Sequence, residues 1–285
     1  MSGFVEKIRP GRIHTITSVS NVRVKAIRGL SQKKHRDQSG TFLIEGLKLV
    51  IDAFEAGWKV DSFIFAKSEE ARDQIEELAA KLRVAGADIL EVNEKVLSSI
   101  TRKDNPQMVL GIVRQNWAKP PQDIDDRDTV WIGLDRVRDP GNLGTIIRTA
   151  DAAGAAGIIL IGETTDPYSL EATRATMGSI FNVPLVHMSA FEFLAWRNKW
   201  TGIMVGTHLK GAQDFRVIDY ASQPVFLLMG NEQQGLPDEL AQACDALAYI
   251  PMKGAADSLN LAIATGVFLF QMGKKLPGPG PGESV

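Results

Sequence analysis

The segment Leu134–Ala153, LDRVRDPGNLGTIIRTADAA, decides the fold. It follows an apolar run, Val130–Leu134, whose composition is typical of a buried strand. Asp139, Pro140 and Gly141 then predict a tight turn, after which the apolar residues recur with helical spacing. The segment therefore predicts a strand, a turn and a helix. Backbone N–H groups at such a helix start suit an anion or the polar edge of a ligand.

The same alternation of strand and helix continues along the chain. Further apolar runs predict strands near Gly157–Ile161, Val183–Val186, Ile203–Val205, Val225–Met229 and Leu247–Ile250. Strands that alternate with helices predict an α/β fold with a mainly parallel sheet covered on both faces. Ligands bind such sheets beyond the carboxyl ends of the strands, so the loops that follow the strands are the first candidates for a site.

The chain divides into segments of different composition. Residues 41–115 also alternate between helix and strand patterns and predict a smaller α/β domain. Residues 116–128 contain Pro120, Pro121 and four aspartates, which predict a linker to a second domain at 129–274. Residues 275–285 alternate Pro and Gly, so we expect this tail to be disordered.

Composition excludes several classes of protein. The chain has 285 residues and a single cysteine, Cys244, so it does not depend on internal disulfides and suits a reducing compartment. Its apolar runs are far shorter than the roughly 20 residues that span a bilayer. The first residues carry charges where a signal peptide needs an apolar segment. We therefore expect a cytoplasmic protein that does not enter membranes.

Charge is distributed unevenly along the chain. Residues 1–40 contain nine Lys and Arg against two acidic residues, a net charge of +7, whereas the whole chain carries −2. A basic leading segment on an acidic protein is typical of an arm that binds a polyanion. A solvated, mobile N-terminus has the same composition, and charge alone leaves both interpretations open.

Three loops that follow predicted strands carry polar residues suited to chemistry. Each also has an ordinary structural interpretation: Arg148 as a surface residue, Glu232 as a solvated side chain, and Asp257 or Ser258 as the N-cap of a helix over 259–272. The three segments are Leu134–Ala153, Met229–Pro237 and Ile250–Gly266.

Several common sites are missing from the sequence. It contains neither the G-x-G-x-x-G pattern of dinucleotide-binding folds nor the G-x-x-x-x-G-K-[ST] pattern of P-loop proteins. The four histidines and Cys244 lack the spacing of metal ligands, so we expect no metal site.

Taken together and in order, the three loops are more informative. The motifs N-L-G-T-I-I-R-T-A-D-A-A-G (142–154), G-N-E-Q-Q-G-L (230–236) and I-P-M-x-G-x-x-x-S-L-N-L-A (250–262) resemble those of the SpoU-type, TrmH-like RNA ribose methyltransferases of the SPOUT superfamily. The resemblance covers Thr129 to about Lys274. The preceding region resembles the small RNA substrate-binding domain often found before that catalytic domain.

The resemblance implies a fold and an activity. Such enzymes transfer a methyl group from S-adenosylmethionine (AdoMet) to a ribose 2′-hydroxyl of structured RNA. They form homodimers and contain a C-terminal trefoil knot, a topology that periodicity does not predict. The motif positions imply catalytic residues Asn142, Arg148, Glu232, Ser258 and Asn260, and a cofactor pocket that includes Thr207, Gly230, Ile250 and Leu259.

The motif arginine, Arg148, has two candidate roles. Accounts of the family cast the motif arginine as the base that takes the proton of the 2′-hydroxyl. A charged guanidinium has no acceptor, so we favour a role in which Arg148 pairs with an adjacent RNA phosphate and stabilises the developing alkoxide. Ser258 and Asn260 would then orient the hydroxyl and the cofactor.

Two alternatives remain at this point. The chain is interpretable as a non-catalytic RNA-binding or ribosome-associated protein with the same fold, although the complete set of motif residues argues against this. Methylation of a base is possible in related knotted enzymes but fits the S-L-N motif less well. The separate N-terminal domain favours ribosomal RNA over transfer RNA as the substrate.

Overall fold

The computed structural model describes residues 9–66, 71–101, 108–122, 124, 126–208 and 212–272. The chain forms two compact units. The first unit comprises Met1–Asn116 and Tyr168–Phe181, and the second comprises Trp117–Pro167 and Asn182–Val285. The tail that the composition predicts to be disordered, 275–285, lies outside the described residues.

The N-terminal part of the first unit alternates helices with strands. In chain order its elements are β1 (Ile13–Ile16), α1 (Val22–Gly29), α2 (Lys33–Ser39), β2 (Thr41–Glu45), α3 (Leu47–Glu55), β3 (Val60–Ala66), α4 (Arg72–Val84), β4 (Asp88–Val92), α5 (Glu94–Thr101) and β5 (Val109–Arg114). The strands form one sheet in the order β1-β4-β3-β5-β2. Strands β1, β4 and β3 are parallel, and β5 is antiparallel to both β3 and β2. The sheet is therefore mixed.

Residues 13–40 are built into this unit. Strand β1 pairs with β4, and the helix α1 buries Val24 and Ile27 in the same core as Leu90. The structure thus differs from the predicted division at residue 40, which rested on charge. On α1 the side chains of Arg23 and Lys25 are exposed, whereas Val24 and Ile27 are buried in the core.

The remaining elements alternate between strand and helix as the sequence predicts, with one exception. They are β6 (Val130–Asp135), α6 (Pro140–Ala152), β7 (Gly157–Ile161), α7 (Leu170–Thr176), β8 (Leu185–Met188), α8 (Ala190–Arg197), β9 (Ile203–Thr207), β10 (Gln213–Asp214), β11 (Val225–Met229), α9 (Asp238–Gln242), β12 (Ala246–Tyr249) and α10 (Leu261–Met272). The exception is at β9, β10 and β11, which have no α-helix between them and of which β10 is not predicted. The seven strands form a sheet in the order β10-β12-β9-β11-β6-β7-β8, and every adjacent pair is parallel. The predicted α/β class with a parallel sheet is confirmed.

Burial explains the composition of the strands in the second sheet. All residues of β6, β7 and β11 are buried, which accounts for the uninterrupted apolar sequences of β7 and β11. In β6 the last residue is the buried Asp135. Within the described parts of the chain, none of the helices is both long and apolar enough to cross a bilayer.

One stretch between β7 and β8 belongs to the first unit. Tyr168 packs its ring on Phe42 with centroids 4.7 Å apart, and Trp58 donates from Nε1 to the carbonyl oxygen of Phe181 at 3.0 Å. Arg174, on α7, forms an ion pair with the buried Glu45. The sequence predicts a continuous domain over 129–274. It does not separate residues 168–181 from that domain, because their contact partners lie far away along the chain.

Candidate active site

A cavity of about 380 Å³ lies where two parallel strands of the second sheet end. One side comes from the loop after β6 and the start of α6, and the other from the loop after β11, the neighbouring strand. The residue before α10 completes the lining. The lining residues are Arg138, Asp139, Asn142, Asn231, Glu232, Gln233 and Asn260. All three loops that the sequence selects therefore contribute to one cavity.

The start of α6 fixes Asn142. Asp139 is the N-cap, and its Oδ1 accepts a hydrogen bond from the backbone N–H of Asn142 at 2.6 Å. Pro140 occupies the first turn, where its missing N–H costs no helical hydrogen bond. The side chain of Asn142 donates from Nδ2 to Oε1 of Glu232 at 3.4 Å. The helix start thus connects the first loop to the second.

Asn260 connects the third loop to the same group. Its Nδ2 donates to Oδ1 of Asn142 at 2.9 Å, while its own Oδ1 accepts from the backbone N–H of Ala262 at 2.8 Å. The second contact satisfies an N–H in the first turn of α10. The interpretation that Asp257 or Ser258 caps this helix is wrong, because α10 begins at Leu261 and Asn260 supplies the capping oxygen.

A tight loop carries Glu232. Asn231 and Gly235 exchange two backbone hydrogen bonds, of 3.2 and 2.9 Å, which close the loop on itself. Oδ1 of Asn231 accepts from the backbone N–H groups of Gln233 and Gln234 at 2.9 and 3.2 Å. Gly235 has φ +68°, a backbone conformation that glycine adopts at little cost. Glu232 is therefore an exposed carboxylate on a well-bonded loop.

Two of the residues implied by the family motifs lie outside the cavity lining. Arg148 is exposed on α6, six residues after Asn142, which places it about 240° round the helix from Asn142. Ser258 is exposed in the segment before α10. The cation that does line the cavity is Arg138. The structure of one chain therefore assembles Asn142, Glu232 and Asn260, and leaves Arg148 and Ser258 apart from them.

Three of the four residues implied for the cofactor lie at the ends of three adjacent strands. Thr207 ends β9, Gly230 follows β11, and Ile250 follows β12. Oγ1 of Thr207 accepts from the N–H of Gly230 and donates to the carbonyl of Leu228, both at 3.4 Å. Leu259 is 37% exposed in the segment before α10. These residues offer backbone polar groups and apolar surface.

A close approach of the backbone also explains why position 230 is a glycine. A Cβ atom at Gly230 would lie 2.3 Å from the backbone of Gly235 and of Leu236. The loop that carries Glu232 therefore folds back over Gly230, and a larger residue would displace that loop.

The sequence interpretation missed Arg138, Asp139, Asn231 and Gln233 as lining residues. Asn231 and Gln233 directly follow the motif residues Gly230 and Glu232, and Arg138 and Asp139 lie in the loop between β6 and α6, so position was the available signal. Within the described residues, no group of three or more His, Cys, Asp or Glu is arranged to hold a metal ion.

Comparison with known proteins agrees with this geometry. The family model of the SpoU rRNA methylase family matches residues 129–270, and that of the MRM3-like substrate-binding domain matches residues 21–111. The chain belongs to the SpoU rRNA methylase family. The second match begins just before α1, so it includes the basic helices of the first unit.

Individual relatives of this SpoU chain cover nearly its whole length. The 23S rRNA (uridine(2479)-2′-O)-methyltransferase of Streptomyces viridochromogenes is 33% identical over 253 residues, with 85% of each chain covered. The 23S rRNA (guanosine(2553)-2′-O)-methyltransferase RlmP of Bacillus subtilis is 30% identical and covers 90% of this chain and 98% of its own. The chain in a crystal structure of AdoMet-bound rRNA methyltransferase from Sinorhizobium meliloti is 56% identical in sequence, with a TM-score of 0.85. The match covers 92% of this chain and 98% of that chain.

Proposed function

We propose that this chain transfers a methyl group from AdoMet to a ribose 2′-hydroxyl of ribosomal RNA in the cytoplasm. The hydrogen-bonded group of Asn142, Glu232 and Asn260 at the ends of parallel strands carries the proposal. The relatives named as 23S rRNA 2′-O-methyltransferases favour ribosomal over transfer RNA. AdoMet supplies a methyl group that its sulfonium already activates, so the protein must align the reaction and accept the proton of the hydroxyl.

We assign the cofactor to the ends of β9, β11 and β12. Backbone groups beside Thr207 and Gly230 would hold its polar atoms, and Ile250 and Leu259 would contact its apolar surface. The knot that the family resemblance implies would involve these same loops.

Glu232 is the best placed proton acceptor in the cavity. Its carboxylate is exposed and receives long hydrogen bonds from Asn142 at 3.4 Å and Asn231 at 3.5 Å. An ionised carboxylate accepts hydrogen bonds but donates none, so it suits a ribose hydroxyl. The other carboxylate in the lining, Asp139, uses Oδ1 to cap α6. Asn142 and Asn260 would orient the sugar, with Ser258 nearby in sequence.

Arg138 and Arg148 are the candidates for the RNA phosphate. Arg138 lines the cavity directly, and it forms no hydrogen bond or ion pair with any described residue. A guanidinium binds phosphate by two parallel hydrogen bonds, which would fix the nucleotide beside Glu232. Arg148 reaches the nucleotide only if another molecule or a second copy of the chain brings the two together.

A homodimer would bring Arg148 into use. Ile263 and Phe270 on α10 are 58% and 57% exposed, and their spacing of seven residues places them on one face of the helix. A Cβ atom at Gly266 of α10 would lie 3.4 Å from Cγ2 of Thr149 on α6, so the helix of Arg148 adjoins that of the apolar residues. A second copy that covers these apolar side chains would therefore approach Arg148.

The first unit supplies cations for the rest of the RNA. Lys25, Lys33 and Lys34 are exposed on α1 and α2, and none of the three forms an ion pair with a described residue. Such side chains can neutralise phosphates without reading sequence.

Methyl transfer from labelled AdoMet to purified ribosomal and transfer RNA tests the function, with nucleosides identified after digestion. We expect a single 2′-O-methylnucleoside in ribosomal RNA. A methylated base would indicate the related base-modifying activity. RNA binding without methyl transfer, with AdoMet binding also absent, would indicate a non-catalytic RNA-binding protein.

A further inference from the structure

Arg136 has an unusual backbone conformation for a side chain of its size. It directly follows β6 and has φ +48°, in the left-handed region that residues other than Gly, Asn and Asp rarely adopt. Such strain persists only where the surroundings hold it, and it is concentrated at functional sites. Arg136 does not line the cavity, so its contacts must explain its conformation.

The side chain of Arg136 joins a buried carboxylate to the loop that carries Glu232. Its Nε and Nη2 donate to Oδ2 of Asp135 at 3.0 and 2.9 Å, and the side chain of Asp135 is only 2% exposed. Its Nη1 donates to Oε1 of Gln234 at 3.0 Å. The Asp135 carboxylate also raises the pKa of the Arg136 guanidinium, so this residue stays charged.

The backbone of Arg136 holds the same loop at a second point. Its carbonyl oxygen accepts a hydrogen bond from Nδ2 of Asn231 at 2.8 Å, and its N–H donates to the carbonyl of Ile161 at 3.0 Å. The first of these bonds lies before Glu232 in the chain, and the Gln234 contact lies after it. The two attachments therefore flank Glu232.

We propose that Arg136 is a positioning residue, which fixes the loop 231–235 against the end of β6 and thereby holds the Glu232 carboxylate at the ribose. The inference rests on the proposed function, because it acts through Glu232. The contacts of the guanidinium are the part of this restraint that other residues at position 136 would lack, since the carbonyl contact belongs to the backbone. Its fork holds Asp135 and Gln234 together, and a lysine ammonium does not reproduce that geometry.

Gln234→Ala is the sharpest variant, because it removes one attachment and leaves the buried ion pair intact. We expect a roughly tenfold lower single-turnover rate of methyl transfer, because one hydrogen bond to a charged group is lost. The KM for RNA and the affinity for AdoMet should stay within twofold of the wild type. Gln234→Glu keeps the acceptor and should restore the rate. Arg136→Lys should lower the rate by a similar factor.

Arg216→Gln is a matched control, since Arg216 holds Asp214 through Nε and Nη2 as Arg136 holds Asp135 but contacts none of the cavity residues. We expect wild-type activity from it. Amide hydrogen exchange gives a second readout, in which Gln234→Ala speeds exchange of residues 233–235 and Arg216→Gln does not.

The outcomes separate the two proposals. Wild-type rates in both Gln234→Ala and Arg136→Lys would overturn the positioning role, even with faster exchange in the loop. An inactive wild-type protein would refute the proposed function, whereas the exchange experiment would still show whether Arg136 restrains the loop.

Discussion

The two units use their sheets differently. In the second unit all seven strands are parallel, so the loops that leave β6 and β11 meet at one edge and form a cavity from residues 90 or more positions apart, such as Asn142 and Glu232. In the first unit the sheet is mixed, and the lysines proposed to contact RNA, Lys25, Lys33 and Lys34, lie on α1 and α2 rather than at converging strand ends. We therefore propose that the second unit performs the chemistry and that the first unit binds the RNA.

Of the variants considered, Arg148→Ala should cause the largest loss of methyl transfer. It tests whether the chemistry takes place in the second unit. We expect methyl transfer to be abolished with AdoMet affinity nearly unchanged, because Arg148 is assigned to the RNA ribose-phosphate. Single-turnover kinetics and calorimetry measure the two quantities. A parallel loss of AdoMet binding would place Arg148 at the cofactor instead. Arg138→Ala is the companion variant, and we expect it to raise KM for RNA more than it lowers the rate.

Glu232→Gln should lower the rate of methyl transfer by about a hundredfold or more, the usual contribution of a general base. The amide keeps the size of the side chain but accepts a proton far more weakly. The rate should be measured against pH in both proteins. A variant that retains the wild-type rate and pH profile would exclude Glu232 as the acceptor.

Two variants of Asn260 separate its proposed catalytic role from its structural role as the cap of α10. Asn260→Ala removes the cap of α10 and should cost about 1 kcal/mol of stability, together with activity. Asn260→Asp also caps a helix well but cannot donate to Asn142, so it should keep the thermal midpoint and lose activity. If Asp retains full activity, the hydrogen bond to Asn142 is dispensable.

Neutralising Lys25, Lys33 and Lys34 together as glutamines sharpens the role of the first unit. If all three contact phosphates, the slope of log affinity against log salt should become shallower by about 2, at roughly 0.7 per phosphate of single-stranded RNA. The single-turnover rate at saturating RNA should not change. This variant is preferable to deletion of residues 1–40, which would remove the buried Val24 and Ile27. An unchanged slope would identify these lysines as a solvated surface.

The smallest expected effect concerns the reactivity of the Cys244 thiol. Burial raises the pKa of this thiol to about 12, with Asp245 adding to the shift and Arg197 opposing it. The native state therefore favours the neutral thiol, and the stability that this contributes is complete below about pH 9 and falls as pH rises towards 12. At pH 8.5 we expect alkylation of the native protein to be at least tenfold slower than in denaturant. Equal rates would show that the thiol is accessible.

Periodicity predicted much of the second unit. The uninterrupted apolar runs at β7 and β11 are strands buried on both faces, and the Pro-Gly turn marks the start of α6 as expected. In the first unit, β2 was not predicted, because its five residues are all buried and include Thr41 and Glu45, which a sequence pattern reads as polar. The short strand β1 was missed because it alternates only weakly.

The sequence by itself determined the motif loops, their order and their position after strands, since these depend on local composition and spacing. Only the tertiary structure decided that Asn260 bonds to Asn142, that Arg138 rather than Arg148 lines the cavity of a single chain, and that Arg136 spans from Asp135 to the Glu232 loop. It also assigned Tyr168–Phe181 to the first unit. These relations join residues up to 129 positions apart, as in the pair Arg174 and Glu45. Local propensity does not encode such contacts. Those of the cavity arise because parallel strands bring distant loops to the same edge, whereas Arg174 on α7 meets Glu45 on β2, a strand of the mixed sheet.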